Sequence, residues 1–222
     1  MRMRKKKNLG PRMEKCAPVH VRDGFVLKGR WRETLMPQAR ELRLELGCGK
    51  GRFTVETAKA RPDILFIAIE KVPDALVVAM ERAMAEELRN VFFVVGDAAL
   101  LPDYFAADEA DLIYINFCDP WPPRGQAKRR LTHRGFLETY RKVLKTGGRI
   151  EFKTDNQPLF EFSLKEFPAA GYALSEVTRD LHGGGPQGVM TDYEAKFFEQ
   201  GLPINRCVGT LEERPAPAAP GG

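Results

Sequence analysis

Glu45-Leu46-Gly47-Cys48-Gly49-Lys50-Gly51 is the stretch that decides the fold. An alternating apolar run (Leu42, Leu44, Leu46) precedes it and a helix-compatible run (Phe53 to Ala60) follows, so it reads as a strand, a tight glycine loop and a helix start. Glycine at 47, 49 and 51 lets the backbone take positive φ and lie bare against a ligand, and the next helix presents its unpaired N–H groups to the same spot. Such a loop cradles a nucleotide-like group. The dinucleotide fingerprint needs a glycine where Arg52 stands, and a P-loop needs a glycine at Leu44 and a hydroxyl at Gly51, so neither fits. Glu45 is costly at the end of a buried strand, which argues against a turn of no function.

What remains is acid-x-G-x-G-x-G, and this resembles motif I of the class I S-adenosylmethionine-dependent methyltransferases. The resemblance implies that Glu45 faces the cationic methionine end of that cofactor and that Gly47, Gly49 and Gly51 bind it. Outward from the loop the expected elements are strand Arg43–Leu46, helix Arg52–Arg61 closed by Pro62, strand Ile64–Ile69, helix Asp74–Leu88, strand Val91–Val95 and strand Asp111–Phe117. The middle strands are continuously apolar and β-branched, the mark of a parallel sheet covered on both faces. That pattern points to an α/β, doubly wound sheet, and the resemblance implies the Rossmann-like class I methyltransferase form of it, a mostly parallel sheet of about seven strands with helices on both faces.

In such a sheet ligands bind beyond the carboxyl ends of the strands. Four strand ends carry an acid: Glu45, Glu70, Asp97 and Asp119. Glu70 is placed to accept both hydroxyls of a ribose, and Asp97 to accept from an adenine amino group. A single acid at a strand end is commonly a helix cap; the ordered series of four points to a nucleoside cofactor.

The fourth strand runs into Asn116-Phe117-Cys118-Asp119-Pro120-Trp121-Pro122-Pro123-Arg124 and then Lys128-Arg129-Arg130-Leu131. The prolines stiffen the chain just after Asp119, fixing a carboxylate and an aromatic at the mouth of the cofactor site. With Phe152-Lys153-Thr154-Asp155-Asn156 and Thr191-Asp192-Tyr193-Glu194, this run resembles the bacterial tRNA (guanine-N7)-methyltransferase family from about Glu45 to Phe198. The resemblance implies methylation of a variable-loop guanine at N7, with S-adenosylmethionine as cofactor and tRNA as partner. Asp119 is then the catalytic residue, gripping the guanine edge and touching cofactor. Arg124, Lys128, Arg129, Arg130, Asp155, Thr191, Asp192, Tyr193 and Glu194 are the substrate-binding set. Members of the family commonly carry a lysine where this chain has Pro123, and Arg124 is expected to supply that charge. Trp121 is a candidate either to stack on a base or to pack within its loop. Asp155 can both cap the helix expected over about Gln157–Phe167 and face substrate.

Further along, a helix is expected over Arg134–Leu144, a fifth strand over Arg149–Lys153, and two last strands at about Leu174–Thr178 and Asn205–Val208. The glycine-rich segment Gly183–Gly188 between them reads as a substrate loop that orders on binding.

Charge supports a nucleic-acid partner. The net charge is only +5, but residues 1–15 hold +6 and residues 124–145 hold +7, leaving −8 for the rest. Residues 1–15 read as a basic disordered arm, 16–212 as a single methyltransferase domain and 213–222 as a disordered Pro/Ala/Gly tail. Four scattered cysteines without C-x-x-C and three dispersed histidines suggest reduced thiols and no metal. Without an apolar run of 18 residues or a secretory leader, a cytoplasmic protein without a membrane role is expected, as monomer or homodimer. Two other readings fit parts of the sequence. Asp119-Pro120-Trp121 loosely resembles the D-P-P-[YF] loop of amino-group methyltransferases acting on adenine or cytosine, and a non-catalytic RNA-binding protein could retain the fold.

Overall fold

The computed structural model describes residues 8–122 and 124–213. One seven-stranded sheet is built from β1 (Glu41–Leu46), β2 (Ile64–Glu70), β3 (Val91–Val95), β4 (Ala110–Asn116), β5 (Leu144–Thr154), β6 (Tyr172–Thr178) and β7 (Asn205–Leu211) in the order β3-β2-β1-β4-β5-β7-β6. The first five strands are parallel; β7 runs antiparallel between β5 and β6. Strand order reverses at β1, where Glu45 lies across from Ala68 on one side and Tyr114 on the other. The ligand crevice of a doubly wound sheet opens at that reversal.

Burial on both faces explains the unbroken apolar strands. Leu65, Ile67 and Ile69 of β2 join one core cluster, while Ile64, Phe66 and Ala68 join the other, as a period of two requires. Helices α3 (Arg52–Ala60) and α4 (Pro73–Ala85) cover the second cluster. Helices α5 (Leu101–Tyr104), α6 (Arg134–Arg141) and α7 (Gln157–Ala169) cover the first. A last helix, α8 (Asp192–Glu199), follows the glycine-rich segment.

Several boundaries differ from the sequence reading. The helix expected to reach Leu144 stops at Arg141, because Leu144 already pairs with Ala110 and opens β5; a bulge absorbs the extra residues, with Gly147 at φ 75°. The arm expected to be disordered over 1–15 is ordered in its second half. Helix α1 (Leu9–Lys15) packs Leu9 and Met13 on the second cluster, and Arg12 forks onto Glu81 of α4 at 2.5 and 2.6 Å. Partial burial of Leu9 and Met13, with Cys16 buried beside them, outweighs the charge that made the segment look like a tail. Residues 1–7 and 214–222 lie outside the described residues. The segment after α1 had no expected structure. It lays His20 along the open edge of β3 and then forms α2 (Trp31–Leu35), whose fully buried Trp31 donates Nε1–H to the Tyr104 carbonyl at 2.8 Å.

Candidate active site

The glycine loop turns at the end of β1 with Gly47, Gly49 and Gly51 at φ 77°, 57° and 76°. These three glycines do different things. A Cβ on Gly47 or Gly49 would meet no atom within 4 Å, so both keep backbone bare toward open space. A Cβ on Gly51 would collide with the Ala79 Cβ, so Gly51 exists to let α3 pack on α4. Two of the glycine N–H groups are used to fix the loop: Gly47 donates to the Ile69 carbonyl at 2.8 Å, and Gly49 to Glu70 Oε2 at 3.0 Å. Glu70, whose other oxygen accepts from Val72 N–H at 2.9 Å, thereby locks β2 to the loop.

Glu45 is buried beneath the loop. Its Oε2 accepts from the Thr54 hydroxyl on α3, and its Oε1 from Asn116 Nδ2 on β4 at 3.1 Å. Desolvation raises its pKa to about 7, against the hydrogen bonds from Thr54 and Asn116 and the charge of Lys153, which pull it down. Asn116 Oδ1 is buried with no partner among the described residues. A buried acceptor left unpaired beside a carboxylate makes this end of the site complementary to a cation that carries N–H donors.

Beyond Asn116 the chain enters its most constrained stretch. Phe117 and Trp121 both sit in the left-handed region, at φ 51° and 42°, a conformation costing a bulky residue on the order of 1–3 kcal/mol. Asp119 projects between them, exposed, on the wall shared by two adjoining clefts. One cleft, of about 440 Å³, is bounded by Glu45, the glycine loop, Asp155, Thr191, Asp192 and Tyr193. The other, of about 470 Å³, is bounded by Glu70, Asp97, Trp121, Lys128 and Arg129. Asp97 caps the short helical turn Ala98–Leu100 by accepting from Ala99 N–H at 3.0 Å, and pairs with Lys71 at 2.7 Å, so the cap role common to strand-end acids is real here.

At the end of β5 the cap of α7 is Asn156, which accepts from Leu159 N–H at 2.9 Å; Asp155 is left free to face the cleft. Tyr193 lines the same cleft, and its hydroxyl pKa is raised by burial first and by the charge of Asp155 second. Tyr193 packs against the Phe117 ring at 5.3 Å. Thr191 and Glu194 form a capping box at the start of α8. Asp192 reaches Arg82 at 2.7 Å. Glu194 lines neither cleft. It is fully buried, paired with Lys153 Nζ at 2.6 Å and His182 Nε2 at 3.0 Å, and so holds the substrate-loop candidate from behind. Burial draws the Lys153 pKa below its ordinary value while Glu194 and Glu45 draw it up.

Of the basic set, Lys128 and Arg129 are exposed at the second cleft, and Arg129 lies 3.5 Å over the Trp121 ring. Arg130 lines neither cleft and donates to the Pro120 and Trp121 carbonyls. Pro123 and the side chain of Arg124 lie outside the described residues. Sequence reasoning passed over Thr54, Asn116, Lys153 and His182, which are polar yet placed among apolar neighbours. Asn116 alone carried a signal, as the polar end of an otherwise apolar strand.

Among the described residues no group of three His, Cys, Asp or Glu side chains could hold a metal ion, and no helix is long and apolar enough to cross a membrane. Residues 39–207 match the family described as "Putative methyltransferase". A tRNA (guanine-N(7)-)-methyltransferase of Clostridioides difficile (strain 630) is 44% identical over 209 residues, covering 93% of this chain and 97% of that protein. One of Geobacillus sp. (strain WCH70) is 47% identical over 181 residues, 81% of this chain and 82% of that one. Solved structures share the fold at low identity. The 16S rRNA methyltransferase KamB aligns over 82% of this chain and 92% of its own at 17% identity with a TM-score of 0.63. A mutant 16S rRNA (adenine(1408)-N(1))-methyltransferase with cosubstrate SAM, from Catenulisporales acidiphilia, aligns over 86% and 93% at 15% identity with a TM-score of 0.58. With relatives this similar over nearly all of its length, and a glycine loop and strand-end acids in one crevice, the chain belongs to the tRNA (guanine-N(7)-)-methyltransferase family.

Proposed function

We propose that the protein transfers a methyl group from S-adenosylmethionine to N7 of a guanine in tRNA. The observation that carries this reading is Asp119, on the wall common to two clefts, with nucleoside-type acids on one side and Asp155 and Tyr193 on the other. When bound, S-adenosylmethionine supplies an electrophilic methyl on a sulfonium. The residues present fit that group. Glu45 and the unpaired Asn116 Oδ1 suit its cationic amino-acid end, Gly47 and Gly49 leave room for close approach, and Glu70 has lone pairs to spare for ribose hydroxyls.

Guanine N7 is an in-plane lone pair carrying no proton, so no side chain has to act as a base. Alignment then dominates, and holding two reactants in line is worth several kcal/mol in intramolecular comparisons. Asp119 accepts from the N–H donors of the guanine edge and offsets positive charge developing on the purine. Asp155 and Tyr193 bound the base from the far side, while Lys128 and Arg129 meet phosphates. The alternatives are less well supported. The relatives at 44 and 47% identity are named for guanine N7 rather than an exocyclic amine, and a non-catalytic binder has no need of a buried Glu45 under a bare glycine loop.

Mapping the modified nucleotide after incubating bulk tRNA with labelled S-adenosylmethionine tests the reading. Labelled 7-methylguanosine is expected. Label in an exocyclic methylamine, or none at all, would overturn it.

A further inference from the structure

We propose that Arg130 is a positioning residue, which clamps the loop carrying Asp119 in its strained shape rather than binding tRNA phosphate. Lys128, Arg129 and Arg130 look equivalent in sequence, and their surroundings separate them. Lys128 and Arg129 are exposed at the second cleft. Arg130 is half-buried, lines neither cleft, and spends its guanidinium inside the protein. Its Nε–H donates to the Pro120 carbonyl at 2.8 Å and its Nη2–H to the Trp121 carbonyl at 3.1 Å. The flat of the guanidinium lies 4.4 Å over the Phe162 ring of α7.

What this clamp holds is unusual. Phe117 and Trp121 are both left-handed without being glycine, and such backbone persists only where its surroundings over-determine it. One end is fixed by Phe117 N–H, which donates to the Lys153 carbonyl at 2.9 Å. In the middle, Cys118 and Leu131, the latter next to Arg130, both pack on the first core cluster, and burial pushes the Cys118 thiol pKa up to about 12. At the other end the two carbonyls have Arg130 as donor, and Arg129 covers the Trp121 face. The fork of an arginine can serve two successive carbonyls at fixed angles while stacking on an aromatic; a lysine ammonium does neither.

The proposal rests on the methyltransferase reading only for its rate measurement. Arg130→Lys keeps the charge and loses the fork; Arg130→Met loses both. With tRNA and S-adenosylmethionine saturating, we expect both variants to lose on the order of 10²-fold in single-turnover rate, the scale set by a displacement of about 1 Å. The salt dependence of tRNA affinity should keep its wild-type slope in both, whereas Lys128→Ala should lose about 0.7–0.9 of a unit. Acrylamide quenching should rise for Trp121, while Trp31, fully buried in the core, stays protected and reports that the domain is folded. Phe162→Leu, which leaves the charge untouched and removes the stacking platform, should move rate and quenching in the same direction to a smaller extent. Rescue of the rate by lysine, or a slope lowered in Arg130→Met as much as in Lys128→Ala, would make Arg130 a phosphate ligand and overturn the proposal. If the wild type transfers no methyl to guanine N7, the functional reading fails, while slope and quenching still decide the role of Arg130.

Discussion

Lys153 Nζ on β5 lies 2.6 Å from Glu194 Oε2 on α8, with both side chains out of solvent, and the same ammonium donates to the Val189 carbonyl at 3.1 Å. The substrate-loop candidate is thus fastened to the end of the sheet strand that presents Asp155. Removing one partner of a buried pair strands the other charge, at a cost of about 3–5 kcal/mol. Glu194→Gln or Lys153→Met alone should destabilise by that order in denaturant titration. The double variant should be less destabilised than either single, since no charge is left behind; strictly additive losses would contradict the coupling.

Glu45 makes stability depend on pH in an uncommon direction for a carboxylate. Its folded pKa, about 7, exceeds the ordinary 4.5, so the folded protein binds the proton more tightly than the unfolded chain does. The contribution is full below pH 4.5 and is lost as pH rises through 7, about 3 kcal/mol over the window. Glu45→Gln lacks this term. Ligand-free wild type should therefore lose stability relative to the variant between pH 4.5 and 7.5, and parallel profiles would show that Glu45 titrates normally. S-adenosylmethionine affinity of the wild type, which needs the ionised carboxylate, should rise across the same range.

Gly51→Ala and Gly49→Ala should separate packing from binding. The first drives a methyl into Ala79 and should lower the melting temperature, with an overpacking cost of roughly 1–3 kcal/mol and about 1–2 more for a left-handed alanine. The second carries only the backbone cost and should mainly weaken cofactor binding measured by calorimetry. Equal melting temperatures for the two would refute the division of labour.

Asp119→Asn retains one acceptor and turns an N–H₂ group toward the donors of guanine. A rate loss of about 10²- to 10³-fold is expected, the size of a missing charge-stabilising interaction, with cofactor affinity largely kept. The residual product should still be 7-methylguanosine, since no proton has to leave the base; an exocyclic methylamine would move Asp119 from orienting guanine to proton transfer.

Residues 1–7 carry Arg2, Arg4, Lys5, Lys6 and Lys7, and deleting them should lower the salt slope of tRNA binding by roughly 0.7–0.9 for each phosphate they neutralise. Arg12→Ala should instead leave the slope alone and lower stability only slightly, because its guanidinium is already forked onto Glu81 at the surface.

The sheet was legible because a buried parallel strand writes itself as an apolar run, and because Glu45 and its glycines break that run at the one place where the backbone must turn against a ligand. The carboxyl ends of β1, β2 and β4 followed from the same pattern. What stayed hidden depends on partners far along the chain. Arg130 reads like its neighbours since charge in sequence does not reveal whether a side chain points to solvent or to a carbonyl. Glu194 reads as a polar motif residue until Lys153, 41 positions earlier, turns out to face it. The ordered α1 was masked in the same way: its basic residues suggested a tail, and only Arg12 meeting Glu81, 69 positions on, shows a docked helix.

The antiparallel strand between β5 and β6 also sets an order of assembly. β7 follows β6 in the chain yet separates it from β5, so β6 has no neighbour in the sheet, and β5 keeps one bare edge, until the last strand slides in. During synthesis the glycine-loop side of the crevice can be complete while the Asp155 side still waits. An emerging chain would in that interval expose the edge of β5 as a template for any extended segment nearby. Insertion of β7 closes that edge and brings Asn205, whose Nδ2 donates to the Thr154 carbonyl at 3.0 Å, against the residue just before Asp155. Maturation of the Asp155 side is therefore tied to the arrival of β7.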